Sequence, residues 1–385
     1  DLLSSLMDAL SSAPLMLLCV YRTEKEHRCW QLSNIASREC PDLFTELMLK
    51  YLTARESRRL VESLLTIDNL PERVKTLILE KSEGNPFFIE EVIRSLIDKD
   101  LIYREGDRWK ARQEVENLNV PDTLQGLILE RVDRLQTEVK YVLQCASVIG
   151  RLFRYKLLDY IAKQAGEVEM YLEQLEKRDL VYEERSVPEL EYAFKHVLTQ
   201  EATYQGILEN QRKAFHLLVA QGIERLYQAH IEEYYEELAH HYSWSERKDK
   251  ALEYLLKSAE KAKKQYANET AIEFYKKALE VASGMGEGAN PQQVEIYESL
   301  GRIYDLIGRR QNAQEAYTKG LESCSDRRKR TRLYLHLEGC VDDRKLKEHY
   351  LNLAKETLGD DTNSPEMALI YCTLSWRAWN GKIDG

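Results

Sequence analysis

Residues 84–88 read Gly84-Asn85-Pro86-Phe87-Phe88 and lie between two stretches of helical periodicity. Before them, Val74, Leu77, Ile78 and Lys81 recur at helical spacing and predict a helix from about Glu72 to Glu83. Gly84 is a helix stop, because it accepts a left-handed backbone without a Cβ clash. Asn85 is a good N-cap. Pro86 is a good first helical residue, since its missing N–H would have no intrahelical partner there. A second helix then runs from Phe87 to about Lys99. The pentapeptide therefore fixes a sharp helix–helix corner and aims the positive end of a helix dipole outward from it.

The pattern continues on both sides. Thr53-Ala54-Arg55-Glu56 is a capping box opening a helix to about Leu65. Leu101-Ile102-Tyr103 and Arg108-Trp109-Lys110 flank Glu105-Gly106-Asp107 and predict a short hairpin. Upstream, Pro14-Leu-Met-Leu-Leu-Cys-Val-Tyr21 is an unbroken apolar run, expected to be a strand buried on both faces of a parallel sheet. Downstream, helices are expected at about 123–135, 139–149, 155–162 and 168–178. Two short β-like runs, 180–182 and 190–194, follow and make a two-stranded ribbon. Helices followed by such a ribbon spell a winged helix.

Residues 294–327 match a tetratricopeptide repeat (TPR), with Tyr297, Leu300, Gly301, Tyr304, Gly308, Ala313 and Tyr317 at the expected offsets and Gly320 where alanine is usual. Ala271, Tyr275 and Ala278, with Leu255, Ala259 and Ala262 before them, mark a preceding unit. Leu238, Ala239, Tyr242 and Ala251 mark an earlier one. The unit from Arg327 to Leu358 is degenerate, and Tyr371, Leu374 and Ser375 begin a last one. Solenoids of this kind bury their core only by stacking, and a concave face often binds a protein.

The corner, with Ile89-Glu90-Glu91-Val92 after it, resembles the G-x-P corner in the lid of signal-transduction ATPases, the STAND branch of the AAA+ class. The nearest likeness is to predicted ATPases joined to class III adenylate/guanylate cyclase domains. The resemblance implies a mainly α fold: the edge of an α/β ATPase core over 1–40, a helical lid over 41–118, a winged helix over 119–229 and a TPR-like α-solenoid over 230–385. It implies that Pro86 packs against the adenine of bound nucleotide, that Asn85 beside it belongs to the same nucleotide-binding corner, and that Arg22, at the end of the 14–21 run, senses the γ-phosphate. Tyr192-Ala-Phe-Lys-His196-Val-Leu198 resembles the F-(R/K)-H-A-L segment of these proteins, whose histidine contacts the β-phosphate of ADP. His196 takes that place. Read without the resemblance, Arg22 is a surface arginine, His196 a half-buried capping histidine and the corner a structural turn.

No G-x-x-x-x-G-K-(S/T) occurs in the chain, so the phosphate-binding loop and the Walker B acid are expected upstream of Asp1, in an ATPase core acting in cis on an internal fragment. ATP or ADP with Mg is expected in the full-length protein, none held by this fragment alone. No catalytic or metal residue is expected in it. Gly284-Met285-Gly286-Glu287-Gly288 follows a helix instead of a strand and reads as a loop. His240 and His241 are adjacent, point about 100° apart on a helix and are expected not to chelate together.

Hydrophobic residues at 43% and charged residues at 31% describe a globular chain. A net charge of −10 disfavours nucleic acid and anionic membrane. So does the expected recognition helix, where Glu167, Glu169, Glu173 and Glu176 outnumber Lys177 and Arg178. Seven cysteines without a C-x-x-C pair read as reduced thiols of a cytoplasmic protein. The function expected is the regulatory portion of a signalling ATPase, with a protein partner on the repeats and an attached output domain: a cyclase, a kinase or a DNA-binding domain, of which the resemblance favours a nucleotide cyclase. The alternative is a TPR scaffold that binds proteins without nucleotide.

Overall fold

The computed structural model describes residues 6–7, 10, 13–21, 29–64, 71–106, 108–117, 120–286, 290–359, 361 and 363–380. They are mainly α-helical and fall into two compact units, Asp1–Leu124 and Gln125–Gly385.

The first unit contains α1 (Cys29–Glu39), α2 (Ala54–Leu64), α3 (Glu72–Ser82), α4 (Pro86–Asp98) and the hairpin β1 (Ile102–Glu105) and β2 (Arg108–Ala111). The capping box opens α2 as expected: the Thr53 N–H donates to Glu56 Oε2 at 2.8 Å, and the Glu56 N–H donates back to Thr53 Oγ1 at 3.3 Å. Helices α2, α3 and α4 pack on one another, with Val61, Val74, Ile78, Phe88, Ile89 and Leu96 in the core. Residues 14–21 do not form the expected strand. Their backbone is irregular, and Met16, Leu18 and Val20 are exposed. An apolar run becomes a buried strand only where neighbours complete its ladder, and among the described residues both sheets are built from other segments.

The second unit opens with α5 (Leu124–Asp133), α6 (Thr137–Ile149), β3 (Leu152–Arg154), α7 (Tyr155–Ile161), α8 (Val168–Lys177), β4 (Val181–Arg185), β5 (Glu191–Phe194) and α9 (Val197–Gln205). The expected two-stranded ribbon is a three-stranded antiparallel sheet of order β3-β5-β4, with Phe153 opposite Tyr192 and Val181 opposite Phe194. Glu191 on the central strand is buried, and Arg185 Nε meets its Oε2 at 2.8 Å. Phe153 and Phe194, both buried, meet edge to face at 5.7 Å between the neighbouring strands β3 and β5.

Helix α10 (Glu209–Leu226) leads into a run of paired helices: α11 (Tyr235–Ser243) with α12 (Lys248–Lys264), α13 (Asn268–Ser283), α14 (Asn290–Leu306) with α15 (Arg310–Ser323), α16 (Arg327–Cys340) with α17 (Arg344–Leu358), and α18 (Pro365–Asn380). Each packs on the next, giving solenoid-like helical repeats. Most repeat positions read from the sequence lie in the core: Tyr242, Ala251, Ala259, Ala271, Tyr275, Ala313 and Tyr317 are buried, whereas Tyr297 is half-buried and Gly308 and Tyr371 are exposed. The degenerate unit also forms a helix pair, whose Leu351, Ala354 and Leu358 pack with Met367 and Ile370 of α18. Among the described residues no helix is long and apolar enough to cross a membrane.

Candidate functional site

The corner at residues 83–88 is built from backbone and one side chain. Glu83 (φ 48°) and Gly84 (φ 79°) take successive left-handed conformations and end α3. The Asn85 N–H donates to Ser82 O at 2.7 Å, and its Oδ1 accepts from the N–H groups of Phe87 (3.0 Å) and Phe88 (3.4 Å). Pro86 is the first residue of α4. Gly84 faces the chain just before α2. The Leu52 N–H donates to Gly84 O at 2.9 Å, and a Cβ on Gly84 would lie 2.2 Å from Leu52 O. The corner is thus locked from both sides. Gly84 is buried, Asn85 half-buried and Pro86 exposed. Since Asn85 occupies two of the free N–H groups at the start of α4, the site is better suited to packing a flat ring on Pro86 than to cradling an anion.

Arg22 lies outside the described residues. His196 precedes α9 in extended conformation (φ −132°, ψ 140°) with its ring half-buried. Its side chain makes no capping hydrogen bond. The cap is its carbonyl, which accepts from the Thr199 N–H at 3.0 Å.

The second unit also holds a cluster that sequence reasoning dismissed. His216 of α10 meets His240 and His241 of α11, and one ring nitrogen from each lies within 4.8 Å of the others. Adjacent positions on one helix diverge, but a third histidine arriving from α10 lies within reach of both. His216 Nδ1 and His241 Nδ1 are 2.9 Å apart, which requires one to carry the proton and the other to accept it. The Tyr204 hydroxyl on α9 bonds His216 Nε2 at 2.9 Å. His216 and His241 are buried, His240 is exposed, and the Trp244 ring stacks on His216 at 6.1 Å. Burial pushes His216 down to about 3, helped by His240 and Arg212, and holds His241 well below the usual imidazole range. His240 is lowered by burial and by Lys277. His216 and His241 are therefore held neutral, the protonation state of a metal ligand. The sequence signal was present in the His240-His241 pair. Its missing partner lies 24 residues upstream of His240, on another helix.

Residues 53–110, which run from the start of α2 into β2, match a family described as a domain of unknown function, DUF8739. The hybrid signal transduction histidine kinase G of Dictyostelium discoideum is 26% identical over 128 residues, which are 32% of this chain and 4% of that protein. The chain thus spans a small part of that curated relative. Among solved structures, a signal transduction ATPase with numerous domains (STAND) protein with a tetratricopeptide repeat sensor, from Pyrococcus horikoshii, is similar over 87% of this chain and 53% of that one. The identity is 14% and the TM-score 0.33, a likeness too loose to carry an argument about function.

Proposed function

We propose that this chain is the lid, winged-helix and TPR portion of a STAND-type signalling ATPase. It closes over ATP or ADP, with Mg, held by an upstream ATPase core, and passes the nucleotide state to an attached output domain and to a protein partner on the repeats. The output domain in this reading is a nucleotide cyclase. The observation that carries the reading is the locked corner: Asn85 caps α4, Gly84 is pinned on Leu52, and Pro86 is left exposed at a fixed helix start. That arrangement suits contact with an adenine ring, the role the resemblance gives Pro86, with Asn85 as its neighbour in the nucleotide-binding corner. The order helix, strand, two helices, two strands over 137–194, with β5 central, supports the winged-helix reading. Similarity to part of a protein named as a signal transduction kinase is in keeping with a signalling role. His196 stands at the helix start after β5, where the resemblance expects a phosphate contact, and Arg22 keeps its proposed γ-phosphate role.

The test is Pro86→Ala in the natural protein that carries this region together with its core. Nucleotide affinity should fall about tenfold, the loss of a contact worth roughly 1.4 kcal/mol, with the melting temperature of the nucleotide-free protein unchanged. Equal affinity in mutant and parent returns the corner to a structural turn. A second reading, a TPR scaffold without nucleotide, is favoured by the exposed Leu369 and Tyr371 on the last helix. It expects a protein partner lost on Tyr371→Ala and no nucleotide bound by the parent.

A further inference from the structure

We propose that His216, His240 and His241 form a binding site for a borderline transition-metal dication such as zinc(II), with a fourth position open to water. Three imidazoles from two helices converge, with one nitrogen of each inside 4.8 Å. Zinc–nitrogen bonds of about 2.0–2.1 Å in a tetrahedron set ligand nitrogens about 3.3 Å apart. The His216–His241 pair, at 2.9 Å, needs to open only slightly once a metal replaces the shared proton. The longer separations call for a rotamer change of His240, whose ring already packs against those of His216 at 5.7 Å and His241 at 5.2 Å.

The surroundings fit the same chemistry. Metal-bound histidines hold their second nitrogen in a hydrogen bond that fixes ring orientation. Tyr204 supplies that bond to His216 Nε2, leaving Nδ1 to face His241 and the metal. Imidazole ligands without thiolate or carboxylate favour zinc, copper or nickel over magnesium or calcium. Two cations stand nearby and oppose a dication. Arg212 is turned over the Tyr204 ring at 4.5 Å with Nη2 donating to Ile207 O at 3.0 Å, and Lys277 lies on α13. Neither sits among the three nitrogens. A bound metal would clamp α10 to α11, where the sheet-bearing module passes into the repeats. The competing account is a hydrogen-bonded core cluster of Tyr204, His216 and His241 with no ligand.

The experiment is calorimetric titration of the chelator-stripped chain with zinc(II), alongside the visible spectrum of the cobalt(II) form. One ion per chain is expected, with the melting temperature raised by zinc. His240→Ala should remain folded, its own metal-free melting temperature serving as the reference, and lose at least about 100-fold in affinity. Tyr204→Phe should lose about tenfold, as for an orienting partner. His349→Ala, at a remote exposed histidine, should change nothing. The intense visible bands of four-coordinate cobalt should appear in the parent and vanish in His240→Gln, a readout separate from stability. No uptake by the parent, or equal affinity in parent and His240→Ala, overturns the site in favour of the hydrogen-bonded cluster.

Discussion

Gly301 lies directly under the ring of Tyr317: a Cβ built on Gly301 would stand 2.3 Å from Tyr317 Cε1 and 2.6 Å from Cδ1. The two residues join α14 to α15, and Tyr317 is fully buried, so its ring has no open direction in which to retreat. Gly301→Ala should therefore destabilise the chain by about 2 kcal/mol, the cost of overpacking outweighing the roughly 1 kcal/mol gained in helix propensity. Gly339 on α16 has no atom within 4 Å of the same virtual Cβ. Gly339→Ala should stabilise by up to about 1 kcal/mol. Denaturant melts of both variants check the pair, and equal signs for the two would refute the repeat packing.

Tyr304 tests the register of the same unit. It is buried on the last turn of α14, and truncation to alanine removes a packed ring. A loss of roughly 3 kcal/mol is expected for Tyr304→Ala. An unchanged melting temperature would place this side chain in solvent and shift the repeat by at least one residue.

The repeats and the corner were legible because both are written in local chemistry. Gly301, Ala313 and Gly320 are small where helices approach, and Asn85-Pro86 encodes a helix start within three residues. The strand β3 was missed because Leu152-Phe153-Arg154 is too short to show alternation, and its pairing with β5 bridges about forty residues of chain. The 14–21 run misled for the opposite reason: its apolar content is strong, but strand formation depends on partners elsewhere. His240-His241 reads from the sequence as a divergent pair on one helix, yet one ring nitrogen of each lies within 4.8 Å of the other and of His216 on α10. Local signals name elements, whereas a site assembled from separate helices depends on contacts that periodicity does not encode.

Asn85 and Gly84 should separate capping from backbone geometry at the corner. Asn85→Ala removes the Oδ1 that accepts from two N–H groups and should cost about 1 kcal/mol. Gly84→Ala places a methyl at φ 79° against the Leu52 carbonyl and should cost more, about 3 kcal/mol or above, because backbone must move. Asn85→Asp, which keeps the acceptor, should restore most of the stability. A ranking in which Gly84→Ala is the milder change would show that Leu52 does not cross the corner as described.

The acid response of the repeats should depend on Glu298. Its Oε1 and Oε2 accept from Arg332 Nε and Nη2, each at 3.2 Å, in a forked pair linking α14 to α16. Arg332 Nη1 also reaches Glu366 on α18 at 3.4 Å, so one guanidinium ties three helices of successive units. Burial alone pushes the Glu298 carboxyl upward, but the hydrogen bonds from His336 and Arg332 outweigh it and bring it from 4.5 down to about 2. A carboxyl depressed in the folded state contributes stability in full above its unfolded value, near 4.5, and loses it as pH falls toward 2. The difference of about 2.5, at roughly 1.4 kcal/mol per pH unit, sets a ceiling of about 3.5 kcal/mol. With Arg332 about a third exposed, solvent screening brings the expected loss to about 1–2 kcal/mol. Unfolding free energies at about pH 6 and about pH 3 should therefore fall further in the parent than in Glu298→Gln, which cannot titrate at this position. Parallel pH profiles for the two proteins would show that the Arg332 fork contributes nothing to the acid sensitivity of the solenoid.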